Sequence, residues 1–158
     1  MEKPALVSAT GGNSIFAHVD FTPEIHAPEP LVGTTHCFAF SGDRVLIELD
    51  SGGSPIPDWD AFEARALEHS PAHYMGNSDG EHCFVIDLGE DVQPPVDMDL
   101  KGLRQLYSLD ERLFVIAGRA FQIINWDRTH RFCGRCGGAT EHHSKDRARE
   151  CPACHLLS

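Results

Sequence analysis

Four of the six cysteines lie near the C-terminus of the 158-residue chain, in two Cys-x-x-Cys pairs separated by 14 residues: Cys133, Cys136, Cys151 and Cys154. Two residues between thiols let one tight turn present both sulfurs to a single ion, and two such turns complete a tetrahedron around zinc. Gly134, Gly137 and Gly138 suit the backbone angles of such a turn. Four thiolates leave no position for water, so the pattern predicts one structural zinc per chain.

Two other chemistries fit the second pair by itself. Cys151, Cys154 and His155 match a covalent haem attachment site, and any Cys-x-x-Cys pair can act as a redox dithiol. The haem interpretation leaves the first pair unexplained, and the dithiol interpretation requires a thioredoxin-like pattern around it. Three histidines could replace a thiolate as ligands, but surface positions are the simpler expectation for them: His142, His143 and His155.

Other polar residues offer alternative functions. The terminal segment is basic and could contact nucleic acid or protein through six residues: Arg128, Arg131, Arg135, Lys145, Arg147 and Arg149. A solvated hairpin surface explains these charges equally well. An enzyme site in the preceding region would have to use His36, His82 or Asp87, and no motif brings these three together.

Composition describes a globular protein with an acidic N-terminal region. The net charge is −11, with 7 Lys and Arg against 20 Asp and Glu in residues 1–126 and 6 against 4 in residues 127–158. The acidic region argues against nonspecific nucleic-acid binding. No apolar run reaches the roughly 20 residues of a membrane span, and the first residues lack the apolar run of a secretory signal. We therefore expect a cytoplasmic protein with free thiols, in which Cys37 and Cys83 are core residues.

Local patterns predict a sheet in the first half of the chain. Residues 21–35 hold three prolines and indicate an irregular or edge segment. Residues 37–40 and 45–49 flank a Gly-Asp turn, which predicts a hairpin. Asp58 should cap a short helix over residues 59–68, and residues 82–88 predict a buried strand with Cys83 and Val85 on one face.

The second half favours helices. A helix is expected to begin at Asp97 or Asp99 and to carry Leu100, Leu103, Leu106 and Tyr107. A capping box of Ser108 and Glu111 should start a longer helix through Arg128, in which Gly118 would permit a close approach. The whole indicates an α+β fold, with a mixed α/β domain at residues 1–129 followed by a small four-cysteine zinc ribbon at 130–158.

One stretch carries a family resemblance. The sequence LRQLYSLDERLFVIAGRAFQIINWDRTHRFCGRCGGAT, followed by CPAC, resembles the NADH pyrophosphatase family of Nudix hydrolases. The resemblance places the zinc ligands at Cys133, Cys136, Cys151 and Cys154. Asp127 stands where the family often has histidine, and His155 where it has glycine after the last cysteine.

The family's catalytic motif is missing from this sequence. The Nudix box has the form G-x5-E-x7-R-E-x2-E-E-x-G, and the chain contains no such segment; the only RARE sequence lies directly before Cys151. The resemblance implies that hydrolysis of NAD(H) to NMN(H) and AMP, with Mg²⁺ or Mn²⁺, belongs to a domain beyond Ser158. The present portion would then be structural, dimerising and site-shaping, in a homodimer that contacts neither membrane nor nucleic acid. The alternative is that the protein consists of this portion alone and has lost the catalytic domain.

Overall fold

The fold is built on a six-stranded mixed sheet in the order β1-β4-β5-β2-β3-β6. The computed structural model describes residues 19–158, and the N-terminal stretch used above to argue against a secretory signal lies outside them. The strands of this sheet are β1 (Thr22–Pro23), β2 (Thr35–Ser41), β3 (Arg44–Glu48), β4 (His73–Ser78), β5 (Glu81–Gly89) and β6 (Met98–Gly102). The helices are α1 (Trp59–Glu63), α2 (Leu103–Leu109) and α3 (Glu111–Thr129).

The centre of the sheet is the parallel pair β2 and β5, and all other neighbouring strands are antiparallel. The predicted hairpin is confirmed, because β2 turns at Gly42 and Asp43 into β3. The predicted strand over residues 82–88 is also confirmed as part of β5. Strands β2 and β5 are buried on both faces of the sheet and carry continuous apolar runs, as expected for central strands.

Helices cover both faces of the sheet. Along α3 an apolar stripe packs on one face against Phe38, Phe40 and Val85. On the other face Phe62 of α1 packs with Cys37, Leu46 and Ile86. Cys37 and Cys83 are fully buried, so the prediction that both are core residues is confirmed.

The segment after the prolines at 94 and 95 is corrected. The helix expected from Asp97 or Asp99 begins only at Leu103, and residues 98–102 form β6 instead. Leu100 pairs with Leu46 of β3, and Met98 and Leu100 are buried on the same face. The alternation of Met98 and Leu100 is too short to stand out, because the leucines that follow continue it at helical spacing. Pairing with β3 then overrides the local helix preference.

The ends of the helices also differ from expectation. Asp110, not Ser108, caps α3, and its Oδ1 accepts hydrogen bonds from the N–H groups of Arg112 and Leu113. The first helix stops at Glu63 rather than Glu68, because the chain turns at Ala66 with φ 50°. The close approach expected at Gly118 is wrong for the described residues, since a Cβ there would meet none of their atoms within 4 Å.

Strand β4 was missed by the sequence patterns. It contains Gly76, which has φ 126° and lies against β1 so closely that a Cβ would stand 2.0 Å from the Thr22 carbonyl oxygen. Such a strand has no clear alternation to detect. Gly76 therefore marks the position where only glycine admits the neighbouring edge strand.

A small two-stranded sheet of β7 (Glu141–His142) and β8 (Arg149–Glu150) follows α3. It lies within the segment predicted as the zinc ribbon, and together the two sheets and the helices confirm the α+β class. We call residues 19–129 the body and residues 130–158 the ribbon; the domain boundary between 129 and 130 stays a prediction. In the described part of the chain, no helix has both the length and the apolar character needed to cross a membrane.

Candidate metal centre

The two ends of the ribbon's hairpin bring the four C-terminal cysteines together. Residues 133–136 form one turn and residues 151–154 form the other. The Sγ atoms of Cys133 and Cys154 are 3.5 Å apart, and those of Cys136 and Cys151 are 3.4 Å apart. All four Sγ atoms lie within 4.8 Å of one another.

These separations suit a zinc ion. A tetrahedral ion with Zn–S bonds of about 2.3 Å spaces its sulfurs by about 3.8 Å, which exceeds the two pair distances above and lies inside the 4.8 Å that encloses all four sulfurs. No disulfide joins any cysteine of the described residues. The donor set is soft and closed, which favours a structural zinc over a catalytic one.

Backbone amides prepare two of the thiols for ligation. The N–H groups of Cys136 and Arg135 lower the pKa of Cys133 to about 6, and the Arg135 nitrogen lies 3.4 Å from the Cys133 sulfur. The N–H of Cys154 likewise lowers the pKa of Cys151. Because thiolates are the form that binds metal, these amides favour the ligating state of Cys133 and Cys151. The Gly138 amide acts to lower the pKa of Cys136, but the neighbouring thiols outweigh it and the pKa is raised to about 11.

Each turn ends in a residue with left-handed backbone. Gly137 follows Cys136 with φ 74°, and His155 follows Cys154 with φ 55°. Of the three glycines expected to need unusual angles, only Gly137 has a positive φ. His155 therefore occupies a position that glycine fills at less steric cost.

A buried ion pair attaches the ribbon to the body. Arg149 of β8 donates from Nη1 to Asp127 Oδ1 at 2.6 Å, and its Nε donates to Thr140 Oγ1 at 2.8 Å. Asp127 and Arg149 are 7% and 9% exposed. Sequence reasoning missed this pair, although Arg149 alternates with Cys151 along the strand and so had to point inward with it.

A second group of possible metal ligands surrounds this ion pair. His73, Asp127 and His142 place one donor atom each within 4.8 Å of one another. The Arg149 guanidinium lies among them, 2.6 Å from Asp127 Oδ1 and 2.9 Å from His142 Nε2. A fixed cation at this position opposes a metal ion, so the cluster is better described as the polar attachment of the ribbon.

Most of the basic residues of the terminal segment are engaged within the chain. Arg128 donates to Asp87 Oδ2 at 3.0 Å, and Arg131 lies 3.4 Å from the same oxygen. Arg147 donates to the carbonyl oxygens of Glu24 and Tyr74. With Arg149 buried, Arg135 and Lys145 are left as the ribbon's exposed basic side chains without an ion pair among the described residues, which weakens the nucleic-acid interpretation.

The three residues considered for a site in the body are engaged separately. Asp87 pairs with Arg128; His36 Nε2 lies 2.9 Å from Glu81 Oε2, and His82 contacts the Tyr74 hydroxyl. Burial acts to raise the pKa of Asp87, but the hydrogen bonds from Arg128 outweigh it and the pKa is lowered. The structure does not bring these residues together into one site.

Family comparisons agree with this architecture. Residues 34–126 match the model of the NADH pyrophosphatase-like rudimentary NUDIX domain. Residues 128–157 match the NADH pyrophosphatase zinc ribbon domain. The two matches meet at the end of α3, next to Asp127.

Three similar curated proteins are each named NAD-capped RNA hydrolase NudC. The Pseudomonas fluorescens protein is 37% identical over 112 residues, which are 70% of this chain and 40% of that protein. The Stutzerimonas stutzeri protein is 40% identical over 108 residues, 67% of this chain and 38% of that protein. The Deinococcus radiodurans protein is 43% identical over 65 residues, 40% of this chain and 23% of that protein.

The matched part spans about two fifths of the length of the first of these relatives. The family model of the rudimentary domain covers more than half of the present chain, and the zinc ribbon model follows it directly. The chain therefore belongs to the NADH pyrophosphatase family of Nudix hydrolases, and it carries that family's rudimentary NUDIX domain and zinc ribbon.

Proposed function

We propose that this chain is the N-terminal and zinc-ribbon portion of an NAD(H) diphosphatase that also accepts NAD-capped RNA. In the proposal, Cys133, Cys136, Cys151 and Cys154 hold one structural zinc ion per chain. The observation that carries it is the convergence of four thiol sulfurs within 4.8 Å in a segment that matches the family's zinc ribbon.

The role we propose for this portion is non-catalytic. The chain has no Nudix box, and the two buried carboxylates of the described residues, Asp87 and Asp127, are both paired with arginines. Clustered carboxylates that bind Mg²⁺ or Mn²⁺ on a diphosphate would come from a separate catalytic domain. The portion described here would shape and support that domain within a homodimer.

The compartment and substrate follow from the same argument. Free thiols that must bind metal need a reducing environment, which supports a cytoplasmic location. NAD(H) and NAD-capped RNA are the substrates named by the family and its relatives, and we extend them to the complete enzyme only.

The experiment measures metal content and hydrolysis on the same sample. Purified chain should contain about one zinc ion per polypeptide and should not cleave NADH or NAD-capped RNA in the presence of Mg²⁺ or Mn²⁺. The variant Cys151→Ser should lose the zinc, whereas Cys83→Ser, a buried thiol outside the cluster, should keep it. Metal-free wild-type protein would refute the zinc site, and metal-dependent turnover would refute the non-catalytic role.

A further inference from the structure

An open groove lies along α3, bordered by residues of β1, β4 and the ribbon. It has a volume of about 670 Å³, and α3 contributes most of its wall, including Phe114, Gly118, Arg119, Ile123 and Trp126. Met75 and Arg147 close the other side. Its volume lies within the range of small-molecule sites.

Two arginines line the groove without a carboxylate. Arg147 reaches from the ribbon's hairpin, and its Nη2 donates to two backbone carbonyl oxygens, at 3.0 Å and 2.7 Å. Arg119 stands on α3 with its guanidinium carbon 4.8 Å from the centre of the Phe21 ring. Among residues 19–158, no Asp or Glu lines the groove.

Among the arginines of residues 19–158 that are at least partly buried, Arg147 differs in having no carboxylate oxygen of the described residues within 4.0 Å. The other four that are not fully exposed each have a carboxylate oxygen within 4.0 Å: Arg65, Arg112, Arg128 and Arg149. Burial, and then the positive charge of Arg119, lower the pKa of Arg147. In a chain with 24 acidic residues and 13 basic ones, two neighbouring guanidinium groups without a counter-charge indicate a place for an anion.

The apolar wall limits which anion fits. Trp126 borders the groove, and its ring is held by the rings of His73, His130 and His142. A fixed indole is a stacking surface for a planar ring, and two guanidinium groups match the two charges of a phosphate monoester better than the single charge of a carboxylate. No atom of the described residues lies within 4 Å of a Cβ placed on Gly118, which leaves space there for the body of such a ligand.

We propose that this groove binds a nucleoside monophosphate, with its phosphate between Arg119 and Arg147 and its base against Trp126. The site lies outside the cysteine cluster and does not depend on the hydrolase assignment. If no nucleotide bound in the groove, the zinc content and the absence of hydrolysis expected under the proposed function would be unaffected.

The test uses the zinc-loaded chain and AMP as the probe. In a Trp59→Phe background, the remaining tryptophan is Trp126, so its emission reports the groove directly. AMP should change the emission saturably, while adenosine and inorganic phosphate should each bind more weakly by about tenfold or more, because each lacks one half of the contacts. Calorimetry on the wild-type chain checks the affinity independently of fluorescence.

Three variants locate the site. Arg119→Gln removes an exposed charge and should weaken AMP about tenfold without loss of stability. Gly118→Leu fills the groove without changing charge and favours the helix, so it should block AMP in a folded protein. Arg104→Gln, an exposed charge on α2 outside the groove, should leave binding unchanged.

Several outcomes would overturn the proposal. No saturable response up to about 10 mM AMP would exclude a specific site. Equal binding by Arg119→Gln and the parent, or equal affinity for adenosine and AMP, would refute the arginine pair. Equal affinity for inorganic phosphate and AMP would refute the stacking position at Trp126.

Discussion

The body and the ribbon bury different kinds of side chain. In the body the largest buried groups are aromatic and aliphatic, with Phe38, Phe40 and Phe62 at 0 to 1% exposure. In the ribbon the buried residues are two thiols, a hydroxyl and a guanidinium: Cys133, Cys151, Thr140 and Arg149. Its larger apolar side chains are outside, with Phe132 71% exposed and Leu157 53% exposed.

The difference shows two ways of stabilising a fold. The body removes enough apolar surface from water to hold its sheet and helices together. The ribbon is too short for that, so it depends on a metal ion and on polar contacts that attach it to the body. Removing metal should therefore disrupt the ribbon, and removing apolar volume should disrupt the body.

Zinc removal should give the largest effect. Structural zinc contributes on the order of 10 kcal/mol to the folding of small domains. With a strong chelator, hydrogen exchange should show loss of protection in residues 130–158 while β2, β5 and α3 stay protected. If the chelator left hydrogen-exchange protection in the ribbon unchanged, the ribbon would not depend on a metal ion for its stability.

Phe40→Ala should act on the body instead. The Phe40 side chain is fully buried, and its ring centre lies 5.6 Å from that of Phe121 on α3. Loss of a buried phenyl ring costs about 3 to 5 kcal/mol. Urea unfolding should show this loss, while the zinc content stays at one per chain. Phe132→Ala, at an exposed ribbon position, is the control and should change stability by less than about 0.5 kcal/mol.

Asp127→Asn tests the contact between the two regions. It leaves the Arg149 guanidinium buried without a carboxylate, which costs about 3 kcal/mol. The thermal unfolding of zinc-loaded protein should shift accordingly, and Asp127→Asn with Arg149→Met should recover part of the loss. Arg131→Gln, which removes an exposed charge 4.0 Å from Asp127, should have little effect. An unchanged melting temperature in Asp127→Asn would mean that the ion pair does not attach the ribbon.

The sequence predicted the parts whose signal is local. The hairpin of β2 and β3, the strand β5 and the long helix α3 each have a period or a turn within a few residues. The cysteine spacing likewise indicated where four thiols meet, and the structure brings these thiols together. These features depend on neighbours in the chain, so one sequence is enough to find them.

The strand errors occurred where distant segments decide the structure. Residues 98–102 are a strand because β3 pairs with them, and Gly76 is in a strand because β1 lies against it. Asp127 meets Arg149 across 22 positions. A sequence pattern contains the polar residues of such a contact but does not show that they are neighbours in space. The attachment of the ribbon therefore could not be predicted.

The pH dependence of stability offers a finer test of the attachment. Burial lowers the pKa of His73, with Asp127 opposing and the charges of His142, Arg147 and Arg149 adding to the decrease. The unfolded chain then takes up this proton first, at a pH of about 6.5, so the free energy of unfolding should fall as the pH drops below that value. His73→Gln should show a shallower fall between pH 7 and pH 5, with a difference smaller than the loss in Asp127→Asn. Equal slopes in urea unfolding would exclude His73 as a contributor.

His155→Gly should give the smallest effect and the opposite sign. At the position after the second cysteine, the two turns of the ribbon have different residues with left-handed backbone: Gly137 has φ 74° and His155 has φ 55°. Relief of left-handed strain favours glycine by about 1 to 2 kcal/mol, and the greater freedom of glycine in the unfolded chain offsets roughly half of this. The net expectation is a gain of about 0.5 to 1 kcal/mol, measured as tighter zinc retention against a competing chelator. Gly137→His, the reciprocal change, should weaken retention by a similar amount. If both variants moved in the same direction, side-chain contacts such as that of His155 with Glu150, rather than backbone geometry, would distinguish the two turns.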